Sequence, residues 1–399
     1  MDVPVLVLCF GVLLVVGVLI SELAHRTVIS TAVLFLLGGF LLGPGVLDVL
    51  HVDAGDQAVS VLAELALFTT LYSDGMKVGV RDLRRAWRLP GRALLFGLPL
   101  TLVVTALFAH WVVGLPWLES FLLGAVLAPT DPVFASAIVG RNEVPYRLRH
   151  LLNVESGVND GLALPIVLVL LAAAGGMGAE GWHLTGELTL GIAIGVVVPA
   201  AVLGLERLPF LAATRNLQPL LPAAIGLVVL GLCLTTNANL FLASFAAGIT
   251  VASMSEEFRH QFEQLGELVA EQLKLVAILV FGALMTPVFL FQETPWTGWL
   301  FAVLALVVAR PVALAVSFLG SKLDRDEQLA AMWFGPKGFA SVVYGLLVLS
   351  SGIGEADDLF HLVGITIAVS IVAHSSTDVL VARRFARRDE PLPDGISRG

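Results

Sequence analysis

Apolar runs of about twenty residues, separated by short polar turns, set the pattern of this chain. Thirteen of them read as membrane-crossing helices. They lie at 3–22, 28–43, 57–76, 92–113, 117–139, 147–174, 187–206, 217–234, 238–254, 267–292, 297–320, 328–350 and 357–381. Runs of this length match the thickness of a bilayer's hydrocarbon core. Breaker residues divide them, as at Gly43-Pro44-Gly45, Gly114-Leu115-Pro116 and the stretch Gly175–Gly181. Residues 1–22 carry no basic leading region and no small-residue cleavage site, so they read as a first membrane helix rather than a signal peptide.

The polar connections sort by charge. One set holds Arg26, the segment from Lys77 to Arg92, Arg141, Arg147, Arg149, Arg207, Arg215, Arg259, Lys322 and Arg325. It ends in a tail with Arg383, Arg384, Arg387, Arg388 and Arg398. The opposite set holds Asp48, Asp53, Asp56, Glu119, Glu180, Glu293, Glu355, Asp357 and Asp358, with no Lys or Arg. The excess of basic residues on cytoplasmic loops then places the N-terminus outside and the C-terminus in the cytoplasm, which requires an odd number of spans. This is the expectation for a multi-pass protein of the inner (plasma) membrane. Residues 1–382 form its membrane domain, and residues 383–399 form a short, basic, disordered cytoplasmic tail.

Composition agrees with that reading: 57% of the 399 residues are hydrophobic and 14% are charged. The net charge of −9 is spread over short loops and points to no nucleic-acid partner. The two cysteines, Cys9 and Cys233, both fall in apolar runs and predict neither a disulfide framework nor a metal centre. No Gly-rich phosphate loop of the Walker type occurs, so ATP is not the evident energy source and no cofactor is expected.

Against this background, charge inside the spans stands out. Of 23 basic residues only Lys274, Arg310 and Lys337 fall there away from the span ends. The sixth span carries Val154-Glu155-Ser156-Gly157-Val158-Asn159-Asp160-Gly161. Ser156 and Asp160 share one stripe of a helix, Glu155 and Asn159 the next, so together they make a polar wedge. A carboxylate in hydrocarbon costs at least a few kcal/mol. Glu155 has a ready partner in Arg310; Asp160 has no sequence-local cation. The fifth span contains Ala128-Pro129-Thr130-Asp131-Pro132 and the twelfth Gly335-Pro336-Lys337-Gly338. Both predict broken helices, because proline removes a backbone donor and clashes with the preceding turn. Irregular backbone at this depth must be buried in protein or line a cavity.

Two interrupted helices at corresponding positions of two halves point to an inverted-repeat transporter. Spans 5 and 12 are an odd number apart, hence oppositely oriented. Crossing them brings two helix N-termini and two C-termini together, with Asp131 placed to offset the first pair of dipoles and Lys337 the second. Other polar residues have blander readings. His374 is as well suited to helix packing as to the core. Glu64 and Asp74 suit a vestibule or an interface. His110 and Trp111 suit the outer membrane surface, and Glu271 with Lys274 suits a local pair.

These motifs together resemble the monovalent cation/proton antiporters, in particular the bacterial sodium/proton antiporter branch related to the sodium/proton exchangers of animal cells. Thr130-Asp131-Pro132 looks like that family's first unwound helix. Glu155-Ser156-x-x-Asn159-Asp160-Gly161 is similar to its ion-binding motif in the Asn-Asp version. Ala309-Arg310-Pro311 resembles its arginine helix. Gly335-Pro336-Lys337-Gly338 resembles its second unwound helix, where many members carry Arg. The resemblance covers about residues 5–381 and implies an all-α inverted-repeat fold and a homodimer. It also implies a core of spans 4–6 and 11–13 moving against an interface of spans 1–3 and 7–10.

Carried over residue by residue, it makes Asp160 the alternating acceptor of cation and proton. Asp131, Ser156 and the Thr130 carbonyl complete the monovalent cation's shell, with Glu155 close by. Arg310 neutralises Glu155. Asn159, where the electrogenic branch has a second Asp, implies exchange of one cation for one proton. The expected cation is Na⁺, with Li⁺ and K⁺ as alternatives. A cation channel or an intramembrane aspartyl protease is the rival class. Rings of charge typical of channels and a substrate-gate motif are both missing from the sequence.

Overall fold

The computed structural model describes residues 2–20, 30–77, 88–131, 136–175, 181–208, 210–211, 214 and 217–389. All regular structure among these residues is helical, and each predicted run contains helix. In chain order the helices are α1 (Val3–Leu19), α2 (Thr31–Leu42), α3 (Gln57–Lys77), α4 (Pro90–Val113), α5 (Trp117–Leu127) and α6 (Ser136–Gly140). Then come α7 (Tyr146–Ala173), α8 (Gly181–Glu206), α9 (Leu220–Thr236), α10 (Leu240–Met254) and α11 (Glu256–Leu284). The last four are α12 (Trp296–Ser317), α13 (Arg325–Trp333), α14 (Phe339–Ser350) and α15 (Ala356–Asp389). Five of them, α4, α7, α8, α12 and α15, are each long and apolar enough to cross a membrane unaided.

The two predicted breaks are present. The fifth run is divided between α5 and α6, and the twelfth between α13 and α14. Proline acts differently in α4 and α12. There a π-helical stretch, Ala93–Gly97 or Ala305–Ala309, comes just before Pro99 or Pro311. Proline cannot donate to the carbonyl one turn back, and the widened turn absorbs the misfit without ending the helix.

Two helices extend more than six residues beyond the sequence expectation. Hydropathy starts the tenth run at 267, yet α11 starts at Glu256, with the single residue Ser255 between it and α10. The Ser255 hydroxyl caps it by accepting from the Phe258 N–H at 3.3 Å, and Glu256 and Glu257 favour the positive end of the dipole. Its first turns are polar, so hydropathy passes over them. At the other end, α15 continues to Asp389, so residues 383–389 are helical rather than disordered tail. The remainder of that tail, 390–399, lies outside the described residues. So do Arg26, Pro132, Glu180, Arg215 and most of the basic segment after Lys77.

Packing falls into two groups that meet along α7 and α14. In one, α10 packs on α3, α8 and α9, and α11 packs on α2 and α3. In the other, α4 packs on α5 and α12, α5 on α7, and α14 and α12 on α15. The polar wedge of α7 lies where these groups face each other.

Candidate functional site

Thr130, Asp131, Glu155, Ser156, Asn159, Asp160, Arg310 and Lys337 come from four separate segments of the chain, and none is more than 5% exposed. The two breaks hold them together by touching. The Asp131 N–H donates to the Pro336 carbonyl at 2.9 Å. The Ser341 hydroxyl donates to the Val126 carbonyl at 2.7 Å, and the Lys337 N–H to the Ser370 hydroxyl at 2.7 Å. Breaking two helices frees backbone groups in a medium without water, and each break supplies partners for the other's. The approach is close enough to require glycine. A Cβ on Gly338 would collide with Cβ of Asp131, and one on Gly335 with the Arg310 guanidinium.

One turn of α7 faces the first break. The Ser156 hydroxyl donates to the Thr130 carbonyl at 2.6 Å. The Asn159 amide donates to the Thr130 hydroxyl at 2.8 Å and more weakly to its carbonyl at 3.4 Å. Thr130, Asp131 and Ser156 line a cavity of some 10 Å³, about the room one water needs; Val139, Leu152 and Phe334 also line it. Asp160 sits one turn further along α7, and its backbone carbonyl accepts the Tyr344 hydroxyl at 2.8 Å. Its Oδ1 is buried with no hydrogen-bond partner among the described residues, and so is the Asn159 Oδ1.

Glu155 turns the other way. Both its oxygens meet Arg310, with Nη1–Oε1 at 2.7 Å and Nη2–Oε2 at 3.1 Å. Nη2 also reaches the carbonyls of Ala331 and Phe334, at the C-terminal end of α13. One guanidinium thus neutralises a buried carboxylate and satisfies carbonyls freed by the second break. Lys337 interacts electrostatically with this pair, and its Nζ has no hydrogen-bond partner among the described residues.

Sequence reasoning passed over two members of the site. Lys274 of α11 places Nζ 3.4 Å from Asp131 Oδ2 instead of turning to the exposed Glu271, with which it was expected to pair. The signal was already in the chain, in the scarcity of cations inside spans. Asp74 of α3 is 9% exposed, pairs with Lys77 at 3.3 Å, and interacts electrostatically with Lys274 and Asp160. His374 is packed between helices: its ring nitrogens lie 2.7 Å from the carbonyl of Ser370 and 3.0 Å from that of Trp333. His110 stacks on Trp117 beside the exposed Trp111. Two lysine–carboxylate pairings, Lys77 with Asp74 and Lys274 with Asp131, leave Asp160 as the one of these three aspartates with no ion pair among the described residues.

The family model described as "Sodium/hydrogen exchanger, transmembrane" matches residues 11–383. The "K(+)/H(+) antiporter NhaP2" of Shewanella sp. (strain MR-4) is 26% identical over 97% of this chain and 68% of its own length. The "K(+)/H(+) antiporter NhaP" of Alkalimonas amylolytica is 25% identical over 94% and 66%. Among solved structures, the sodium proton antiporter MjNhaP1 from Methanocaldococcus jannaschii at pH 8 superposes with a TM-score of 0.76. The identity is 18%, covering 94% of this chain and 100% of that one, so the likeness is one of fold.

Proposed function

The chain belongs to the sodium/hydrogen exchanger family, and from that premise we propose that it exchanges one Na⁺ for one H⁺ by competition at Asp160. It is a multi-pass membrane antiporter of a monovalent cation against protons, a secondary transporter and not an enzyme. The observation that carries the site assignment is the buried Asp160 carboxylate, whose Oδ1 has no hydrogen-bond partner among the described residues. A proton or a desolvated cation each relieve the cost of that charge, and the two cannot do so together. Occupied by either, the site is close to neutral and can cross the membrane's midplane; bare, it cannot. That asymmetry is sufficient to couple the two flows.

For the cation, Asp160 and Asp131 supply carboxylate oxygens, Ser156 a hydroxyl and Thr130 a carbonyl, the hard oxygen set an alkali ion requires. Asn159 fixes the Thr130 hydroxyl and brings no charge of its own, which supports one-for-one exchange. Glu155, with both oxygens on Arg310, serves the scaffold at the edge of the shell, and Lys337 offsets dipole and charge at the second break. Two carboxylates make a strong-field site, which favours Na⁺ or Li⁺ over larger ions. K⁺ is the second reading, because the two relatives above carry that ion in their names.

The moving core is assigned to α4–α7 and α12–α15, and the static interface, through which two copies pair, to α1–α3 and α8–α11. The two packing groups support this division. An inverted repeat is supported by the matching π-stretch and proline in α4 and α12, and by the breaks in the runs that follow each. The orientation follows the charge pattern, with the N-terminus outside and the C-terminus in the cytoplasm of the inner membrane. Cation-driven proton release from proteoliposomes, run with Li⁺, Na⁺, K⁺ and Rb⁺ over a pH series, tests the reading. Saturable release with Na⁺ or Li⁺ preferred is the expected result. A response to K⁺ alone selects the second reading, and flux with no counter-ion requirement removes both.

A further inference from the structure

Lys274 belongs to α11, which packs on α2 and α3, whereas Asp131 belongs to the crossing of the two breaks. Their side chains nonetheless meet at 3.4 Å, Lys274 at 11% and Asp131 at 5% exposure. From this contact we infer that Lys274 is a tethered cation that competes with the transported ion for Asp131, and so sets the cation affinity of the exchanger. The inference rests on the assignment of Asp131 to the ion's shell.

An alkali ion coordinated by Asp131 and an ammonium at the same carboxylate repel each other in a medium that screens poorly. One must leave as the other arrives. The lysine has somewhere to go. Four charged groups act on it electrostatically, Asp131, Asp74, Asp160 and Lys77, and the first of them touches it. Asp74 lies on α3, the helix on which α11 packs, and its present partner Lys77 is half exposed. Swinging from Asp131 toward Asp74 keeps the ammonium paired and frees Oδ2 for the ion. The lysine also limits the negative charge that the three aspartates would otherwise concentrate. Without it an ion binds more tightly and is released more slowly.

Kinetics on purified, reconstituted protein separate this role from a structural one. The cation KM is extrapolated to low proton activity, so that proton competition is removed. Lys274→Gln lowers that KM roughly five- to ten-fold and lowers kcat with it, because release slows. Lys274→Arg, whose fork grips the carboxylate with two bonds, raises KM about as much. An unchanged KM in both variants, or a loss of kcat alone, overturns the inference. If Lys274→Gln does not reach the membrane folded, the direction of the Lys274→Arg shift decides alone, and a KM that stays put or falls overturns it. Asp160→Asn is run alongside. Exchange surviving in that variant refutes the site assignment itself, whereas a dead Asp160→Asn with unmoved Lys274 variants refutes only the role of the lysine.

Discussion

The backbone N–H of Asp131 donates to the carbonyl of Pro336 at 2.9 Å, although 205 positions separate the two residues in the chain (336 − 131 = 205). Through this bond two helices broken in unrelated parts of the sequence satisfy each other. It fixes the carboxylate of Asp131 beside the start of α14, where the positive end of the dipole favours it. It also presents the Thr130 carbonyl to Ser156. The candidate site is therefore a property of the crossing as much as of any helix.

Asp160→Asn keeps shape and hydrogen-bonding capacity but removes the titrating charge. Exchange falls to background in proteoliposomes, while membrane insertion and monodispersity on size-exclusion chromatography stay as in the parent protein. Parent-like exchange by this variant would end the assignment of Asp160.

Glu155→Gln removes the charge that neutralises the buried guanidinium of Arg310, leaving it one amide oxygen and the carbonyls of Ala331 and Phe334. Removing one partner of a buried ion pair costs about 3–5 kcal/mol. The expected outcome is a clear fall in thermal unfolding temperature in detergent, with expression reduced in step. A variant of normal stability and altered cation affinity would instead place Glu155 in the ion's shell.

Gly338→Ala forces a methyl group into Cβ of Asp131, at a point where both backbones are pinned by hydrogen bonds. Overpacking of this kind costs about 1–3 kcal/mol, and here it also displaces an ion ligand, so exchange drops further than stability does. Gly186→Ala, at a helix position with open space around it, is the control and leaves both unchanged. Equal effects in the two variants would show that the crossing is slack.

Replacing one cation with one proton moves no net charge. Exchange rates at equal ion gradients should be the same with and without an imposed membrane potential, measured by setting a potassium diffusion potential across the vesicles in the presence of valinomycin. A rate that follows the voltage contradicts the one-for-one reading.

Much of the fold was legible from local pattern, because in a bilayer the chain has few options. Every backbone polar group must be satisfied within the protein, so an apolar run of the right length is a helix. Prolines and glycines at Pro129, Gly335 and Pro336 mark where the helix fails. The polar turns of α11 were missed because a hydropathy window averages them with the loop before them. The site was legible only as an inventory. Rare charges inside spans named Asp131, Glu155, Asp160, Arg310 and Lys337, since a costly residue in hydrocarbon has to be doing something.

Which of those charges met which was not written in the pattern. Spacing along a helix suggested Glu271 for Lys274, yet the partner is Asp131, 143 positions away. Asp74 suits a vestibule or an interface by sequence, but α3 packs against α10 and α11 and brings it within electrostatic reach of Lys274 and Asp160. Local sequence thus determined the helices, their breaks and the scarcity of charge. The tertiary structure alone decided the pairing, because Coulomb energy in a poorly screened interior depends on distances that only the packed helices set.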